Sequence, residues 1–158
     1  MSFLTILQAV AKNAGIGRIP TTVGGTTPDD IKLREFINEA GQEVARRVDW
    51  SALRKSVTIT GTGSATAHTI AADYDRLARG LNVIADGEPV RGSLTQDEWF
   101  GLPATVGQPR FFYLANDKLS LWPFLALSET AQLQYQSKNW VGGSTDTMTQ
   151  DGDEAVFS

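Results

Sequence analysis

The chain of 158 residues has no cysteine, and its only histidine is His68. The lack of cysteine excludes a disulfide framework, a cysteine nucleophile and any thiolate zinc site. A single imidazole without a neighbouring carboxylate motif supports neither a Ser-His-Asp triad nor a histidine-rich metal site. We therefore expect His68 to be an ordinary exposed or edge-strand residue.

Cations and long apolar runs are also scarce. Fourteen lysines and arginines stand against 18 aspartates and glutamates, a net charge of -4, which argues against a protein that binds nucleic acid over its whole surface. No stretch approaches the roughly 20 apolar residues of a membrane-spanning helix. The opening MSFLTILQAV lacks the basic region and cleavage site of a signal peptide. These absences predict a soluble, cytoplasmic protein that is not an enzyme and needs no cofactor or metal.

Two helices are predicted in the first third of the chain. Residues 2–14 follow a capping Ser2 and carry apolar residues at helical spacing. A second helix is capped by Thr27, has Pro28 in its first position and ends near Trp50. Its apolar positions form one stripe, namely Leu33, Phe36, Ile37, Ala40, Val44 and Val48. Gly41 costs about 1 kcal/mol inside a helix, so we expect it to mark a close approach to another helix.

From Lys55 onward the apolar pattern alternates, which is typical of strands. Strands are predicted near 55–60, from Leu81 to the turn Asp86-Gly87, in a hairpin around Asn116-Asp117, and near 130–137. The run 61–64, GTGS, is interpreted as a hairpin turn, because no helix or lysine follows it to hold phosphate. Residues 94–101 predict one or two helical turns with Ser93 as a possible cap. The predicted domains are a helical part at 1–54, a β unit at 55–141 and a polar acidic segment at 142–158.

The acidic residues offer no catalytic or metal-binding constellation. The tail holds Asp146, Asp151, Asp153 and Glu154, but not at the ligand spacing of a calcium loop. Asp97 and Glu98 are adjacent on a predicted helix and so do not face each other as an acid/base pair would. We expect solvated charges at these positions.

The four tryptophans allow two interpretations. They are either core or interface anchors, or an exposed platform on which a sugar stacks. Burial is favoured for Trp50 and Trp122, which lie in regular elements. Trp99 and Trp140 lie in less regular segments and are the candidates for an interface.

A basic cluster follows the second helix and comprises Arg46, Arg47, Arg54 and Lys55. It is either a solvated helix end, where cations face the negative pole of the dipole, or a contact for DNA phosphates or an acidic partner. The three arginines are retained as interface candidates.

The ordered series of segments resembles a known family. It includes INEAGQEVARRVDW at 37–50, DYDRL at 73–77, QDEW at 96–99, LSLWP at 119–123 and YQSKNWV at 135–141. Together they are similar to the head-to-tail adaptor (connector) proteins of tailed bacteriophages, related to tail tubular protein A. The resemblance covers residue 3 to about 156, and it rests on the order of the segments because no single motif is diagnostic.

The resemblance implies an α+β fold in which an N-terminal helical bundle carries an inserted small antiparallel β unit. It implies a structural virion protein at the capsid–tail junction, assembled in the host cytoplasm. Its partners would be the portal protein, a tail protein (nozzle, stopper or tail tube) and further copies in a dodecameric ring with transient, non-specific contact to passing DNA. No membrane contact is expected. The alternative from the tryptophans is a β-rich binding module, such as a carbohydrate-binding tail or fibre component.

Members of the resembled family usually continue beyond the segment 149–158 into further helices. We therefore expect either that the chain is a fragment of a longer protein or that this member lacks the closing helices.

Overall fold

A computed structural model describes residues 2–17, 19–80, 82–142, 145–150 and 152–156. The chain divides into two compact units. The first contains Met1–Leu53 and Ser137–Ser158, and the second contains Arg54–Gln136. Among the described residues, none of the helices is long and apolar enough to cross a membrane.

The two predicted N-terminal helices are confirmed, together with their caps. Helix α1 spans Phe3–Asn13, and the Ser2 side chain accepts a hydrogen bond from the Thr5 amide at its start. Helix α2 spans Pro28–Arg47, where Thr27 accepts from the Asp30 amide at 3.2 Å. These hydroxyls satisfy amides that have no partner within the helix.

The predicted apolar stripe of α2 is buried only in part. Leu33 and Ile37 are buried, whereas Phe36 is 65% exposed, Val44 40% and Val48 53%. The buried side of α2 belongs to a core shared with α1 and the C-terminal segment, which includes Phe3, Leu7, Val23, Ala45, Leu53, Trp140, Val141 and Met148. Within the first unit this core covers one side of α2 and leaves the adjoining stripe exposed.

Gly41 makes a close approach, but its neighbour is not another helix. The ring of Trp140, in the non-helical C-terminal segment, lies against the Cα of Gly41. The side chain of Asn38 holds the same segment through a pair of hydrogen bonds with the Met148 backbone, at 2.8 and 3.2 Å. A tryptophan and an asparagine thus attach the C-terminal segment to α2.

Among the described residues of the second unit, eight strands and one short helix follow a 3-10 turn at Ser51–Leu53. The strands are β1 (Arg54–Thr60), β2 (His68–Thr69), β3 (Tyr74–Leu77), β4 (Val83–Ala85), β5 (Glu88–Gly92), β6 (Phe111–Ala115), β7 (Lys118–Trp122) and β8 (Thr130–Ser137). Helix α3 spans Gln96–Phe100. The strands form one barrel-like sheet in the order β1-β8-β4-β5-β6-β7-β2, with β3 also paired to β8.

The predicted helical bundle with a small antiparallel β unit is therefore wrong. The dominant element is the eight-stranded sheet, and it is mixed, because β5 and β6 run parallel. Its core contains Ile59, Val83, Phe112, Leu119, Leu121 and Leu133. Strands β2 and β3 have two and four residues, too few for an alternating pattern to be recognised in the sequence. The sequence pattern therefore predicts a smaller sheet than the structure contains.

Two of the three turns predicted from the sequence are present in the structure. The turns at Asp86-Gly87 and Asn116-Asp117 are confirmed, with positive φ at all four residues as two-residue hairpins require. Leu81, predicted to begin the strand before Asp86, lies outside the described residues. The hairpin predicted at 61–64 is wrong, since β1 pairs with β8 and β2 pairs with β7.

The predicted cap of the short helix is also wrong. Thr95, not Ser93, caps α3, in a reciprocal capping box with Glu98. The Ser93 hydroxyl accepts instead from the Leu114 amide at 3.1 Å. Ser93 therefore attaches the segment before α3 to β6.

A polar network joins β1, β8 and the loop before β3. Asp73 accepts from the Lys55 ammonium at 2.6 Å and from the Tyr135 hydroxyl at 2.8 Å. Burial, followed by the hydrogen bond and the charge of Asp73, raises the pKa of Tyr135 to about 12. The carboxylate thus fixes Tyr135, whose ring also packs 5.8 Å from that of Tyr74.

Gly41→Ala should destabilise the protein despite the better helix propensity of alanine. The new Cβ would stand 2.6 Å from Cζ2 of Trp140. Overpacking of about 1–3 kcal/mol outweighs a propensity gain of up to about 1 kcal/mol. We expect the free energy of unfolding to fall by about 1–2 kcal/mol in urea titrations. In a Trp140→Phe background the cost should shrink.

The matched control is Gly24→Ala, where an added Cβ meets nothing within 4 Å. It should leave the free energy of unfolding within about 0.5 kcal/mol of wild type. A Gly41→Ala protein more stable than wild type would contradict the close packing of Trp140.

Tyr135→Phe should flatten the loss of stability at high pH. The folded-state pKa of about 12 exceeds the ordinary value of 10.0, so the stabilisation is complete below about pH 10 and is lost as the pH rises towards 12. Urea titrations across that window should show a steeper decline for wild type than for Tyr135→Phe. The control is Tyr113→Phe, which leaves the Asp73 network intact and should follow wild type; equal slopes for all three proteins would refute the assignment.

Candidate interaction surfaces

The predicted basic cluster is divided between the two units. Arg46 and Arg47 are exposed in the last turn of α2, where cations favour the negative end of the helix dipole. Arg47 pairs with Glu43 one turn earlier, but both side chains are more than 60% exposed, so the pair contributes little stability. Arg54 and Lys55 begin β1; Arg54 donates to the Arg79 carbonyl at 2.9 Å. The interface role of Arg46, Arg47 and Arg54 stays a prediction.

Trp140 serves the core of the first unit. It is 2% exposed, and its indole N–H donates to the Asp146 carbonyl at 2.8 Å. Trp50 is half-buried and donates to the Val44 carbonyl at 3.0 Å. The sequence pattern identified Trp140 as an interface candidate but did not predict that its ring packs on Gly41. An interface role for Trp140 stays a prediction.

Trp99 belongs to a row of half-buried aromatic side chains on the second unit. Its ring stacks on Tyr113 with centroids 5.5 Å apart, and Phe111 lies 6.1 Å from Trp122 across the β6–β7 pair. Phe111 and Tyr113 flank the buried Phe112, and Trp122 follows the buried Leu121, so these three rings occupy the opposite face of the hairpin. The Trp122 indole donates to the Pro103 carbonyl at 2.7 Å. Trp99 and Trp122 are thus each packed by neighbours of the same unit.

The capping box of α3 fixes the position of Trp99. Hydrogen bonds from the Thr95 backbone and side chain lower the pKa of Glu98, which keeps the carboxylate ionised at the positive end of the helix. Phe100, the next residue, is 73% exposed. Asp97 and Glu98 are exposed neighbours on α3, where adjacent side chains do not face each other.

An open cleft of about 440 Å³ lies beside the parallel pair of β5 and β6. We call it the arginine cleft; its lining residues are Glu88, Pro89, Arg91, Gln108, Pro109, Arg110 and Phe111. Arg91 lies opposite Phe111 in the register, and its amide donates to the Arg110 carbonyl at 2.8 Å. Sequence reasoning missed both arginines, because only the parallel pairing brings them together.

Arg91 and Arg110 of the arginine cleft are both exposed residues. Within the described part of the chain, neither Arg91 nor Arg110 forms an ion pair. Glu88 is the one carboxylate of the lining, so the cleft carries a net positive charge on an acidic protein.

A second exposed surface lies on α2. We call it the α2 outer face and define it by Glu35, Phe36, Glu39 and Ala40, all exposed. Helical spacing places these residues on one side, next to the side that buries Leu33 and Ile37. The sequence pattern identified the apolar members but predicted them to be buried.

The described residues hold no group of three or more histidine and acidic side chains able to bind a metal. His68 lies in β2 at an edge of the sheet, as predicted, and burial lowers its pKa. In the acidic tail, Asp153 accepts from the amides of Thr149 and Gln150, a local turn; Asp151 lies outside the described residues.

Comparison with known families identifies the chain. The model of the SU10 adaptor protein family matches residues 1–154. A comparison with curated proteins gives no match. The resemblance to phage head-to-tail adaptors is thereby confirmed at the level of the family. Because the match spans nearly the whole sequence, the chain belongs to the SU10 adaptor protein family and has the structural role of a bacteriophage adaptor.

Proposed function

We propose that this protein forms a ring that docks on the portal of the phage capsid and presents the attachment surface for the tail. The observation that carries the proposal is the family match over residues 1–154. In this role the protein is a virion component of the head–tail junction, assembled in the host cytoplasm, and it performs no catalysis. The copy number implied by the resemblance is twelve.

Exposed apolar side chains support an assembly role. Among the described residues, nine large apolar side chains are exposed, and Phe36, Phe100 and Leu127 each exceed 60%. Apolar surface of this kind is covered when subunits associate, because burial removes it from water. In the proposed assembly this apolar surface is covered by ring neighbours, by the portal and by a tail protein (nozzle, stopper or tail tube).

The charge of the chain suits a passage for DNA. A net charge of -4 repels phosphates on average, so passing DNA makes only transient, non-specific contacts. The carbohydrate-binding alternative needs at least two of three tryptophans exposed on one face. The described residues do not meet this requirement, since Trp140 is buried and Trp99 and Trp122 are half-buried.

Mixing the chain with purified portal should convert weakly associating subunits into a portal-bound ring. Light scattering of the chain, the portal and the mixture should show a mass gain of many copies per portal, and electron microscopy should show an added ring. The portal supplies the template because a ring closes only when all subunits share one rotation.

The control is Leu133→Asp, which places a charge at a position that is 0% exposed and should prevent folding. It should add no mass to the portal. A wild-type chain that stays monomeric in the presence of portal would reject the proposed function.

A further inference from the structure

We infer that the α2 outer face of one copy docks into the arginine cleft of the next copy in the ring. The inference rests on the proposed function, because it names the contact by which the proposed ring closes. The occupant of the cleft is therefore a second copy of this chain. The contact is heterologous, since it joins two different surfaces, and such contacts form closed rings when the rotation closes.

The α2 outer face combines an apolar side chain with two carboxylates. Phe36 is 65% exposed, and Glu35 and Glu39 are exposed next to it, one helical turn apart from each other. Neither glutamate forms an ion pair within the described residues. Along the helix, Lys32 lies one turn before Phe36, and Arg46 lies about two turns after Glu39. The centre of the face is thus apolar and acidic.

The arginine cleft has the complementary composition. Pro89 and Phe111 supply apolar surface, and Arg91 and Arg110, both exposed residues, supply positive charge. The phenyl ring of Phe36 suits the apolar surface of Pro89 and Phe111, because aromatic rings pack against one another edge-to-face or offset. The carboxylates of Glu35 and Glu39 suit Arg91 and Arg110. Guanidinium groups bind carboxylates in a planar, bidentate geometry.

Composition favours a protein partner for this cleft. Arginine and aromatic residues are enriched at interface centres, where they account for most of the binding energy. DNA is the competing anionic occupant, but its phosphates carry no apolar group to pack against Pro89 and Phe111. A helix with two glutamates around a phenylalanine provides both the charge and the apolar group that the cleft accepts.

Charge reversal provides the test, in assemblies formed with portal. Arg91→Glu/Arg110→Glu makes the cleft acidic, and Glu35→Arg/Glu39→Arg makes the α2 outer face basic. Each double variant alone should lower the subunit association constant at least about tenfold, because like charges then face each other. All four residues are exposed, so the fold should survive, and circular dichroism with thermal melting verifies this.

Rescue distinguishes a direct contact from an indirect effect. An equimolar mixture of the two double variants should assemble again, because the reversed cleft of one accepts the reversed face of the other, and their unchanged surfaces also match. The chain carrying all four substitutions should assemble alone for the same reason. The matched control is Lys118→Glu, which removes an exposed strand cation outside the cleft and should assemble like wild type.

The outcomes separate the inference from the function on which it rests. Rings that form normally with either double variant would overturn the inference and leave the adaptor function standing. Loss without rescue would overturn the pairing of these two surfaces. Normal rings together with weakened binding of duplex DNA by Arg91→Glu/Arg110→Glu would assign the cleft to DNA instead. A wild-type chain that never assembles on portal would overturn both proposals.

Discussion

The second unit depends on the burial of one strand, β8. It pairs with β1 on one side and with β3 and β4 on the other, so Leu133 lies between Val57 and Val83 and is 0% exposed. Its apolar residues alternate with glutamines, which directs one face into the core. The hydrogen bond from Tyr135 to Asp73 then ties the loop before β3 to the same strand. Loss of β8 would therefore detach β1 and β3 from the sheet and leave the edge of β4 unpaired.

The first unit depends on contacts between residues that are distant in sequence. Two helices with one apolar face each do not close a core, and here the C-terminal segment supplies what is missing. Trp140 fills the space left by Gly41, and Asn38 pairs with the backbone of Met148. The Phe3 amide also donates to the Asp153 carbonyl at 2.7 Å, where α1 begins. A segment without regular structure thus takes the place that a third helix would have in a bundle.

Local chemistry was predictable and long-range pairing was not. Thr27 and Pro28 mark the start of α2, and Asn116-Asp117 marks a hairpin, because capping and turn conformations depend on neighbouring residues. The parallel pair of β5 and β6 leaves no such local mark, so Arg91 and Arg110 showed no sign of forming one cleft. Periodicity predicted that Phe36 is buried with the apolar stripe of α2, but Phe36 is exposed, because its coverage depends on elements elsewhere in the chain. The predicted fold class was wrong for the same reason, because a two-residue strand such as β2 is recognised only from the strand with which it pairs.

An adaptor has to leave surfaces unsatisfied within its own fold. Phe36 remains in water although other apolar residues of the same helix are buried, and Arg91 and Arg110 remain without carboxylate partners in the described chain. A monomeric protein would be more stable with these groups covered or replaced, because exposed apolar surface contributes nothing to folding. The groups gain a role only when another molecule covers them. The contact inferred between copies would cover both surfaces at once, because one copy would provide the α2 outer face and the next the arginine cleft.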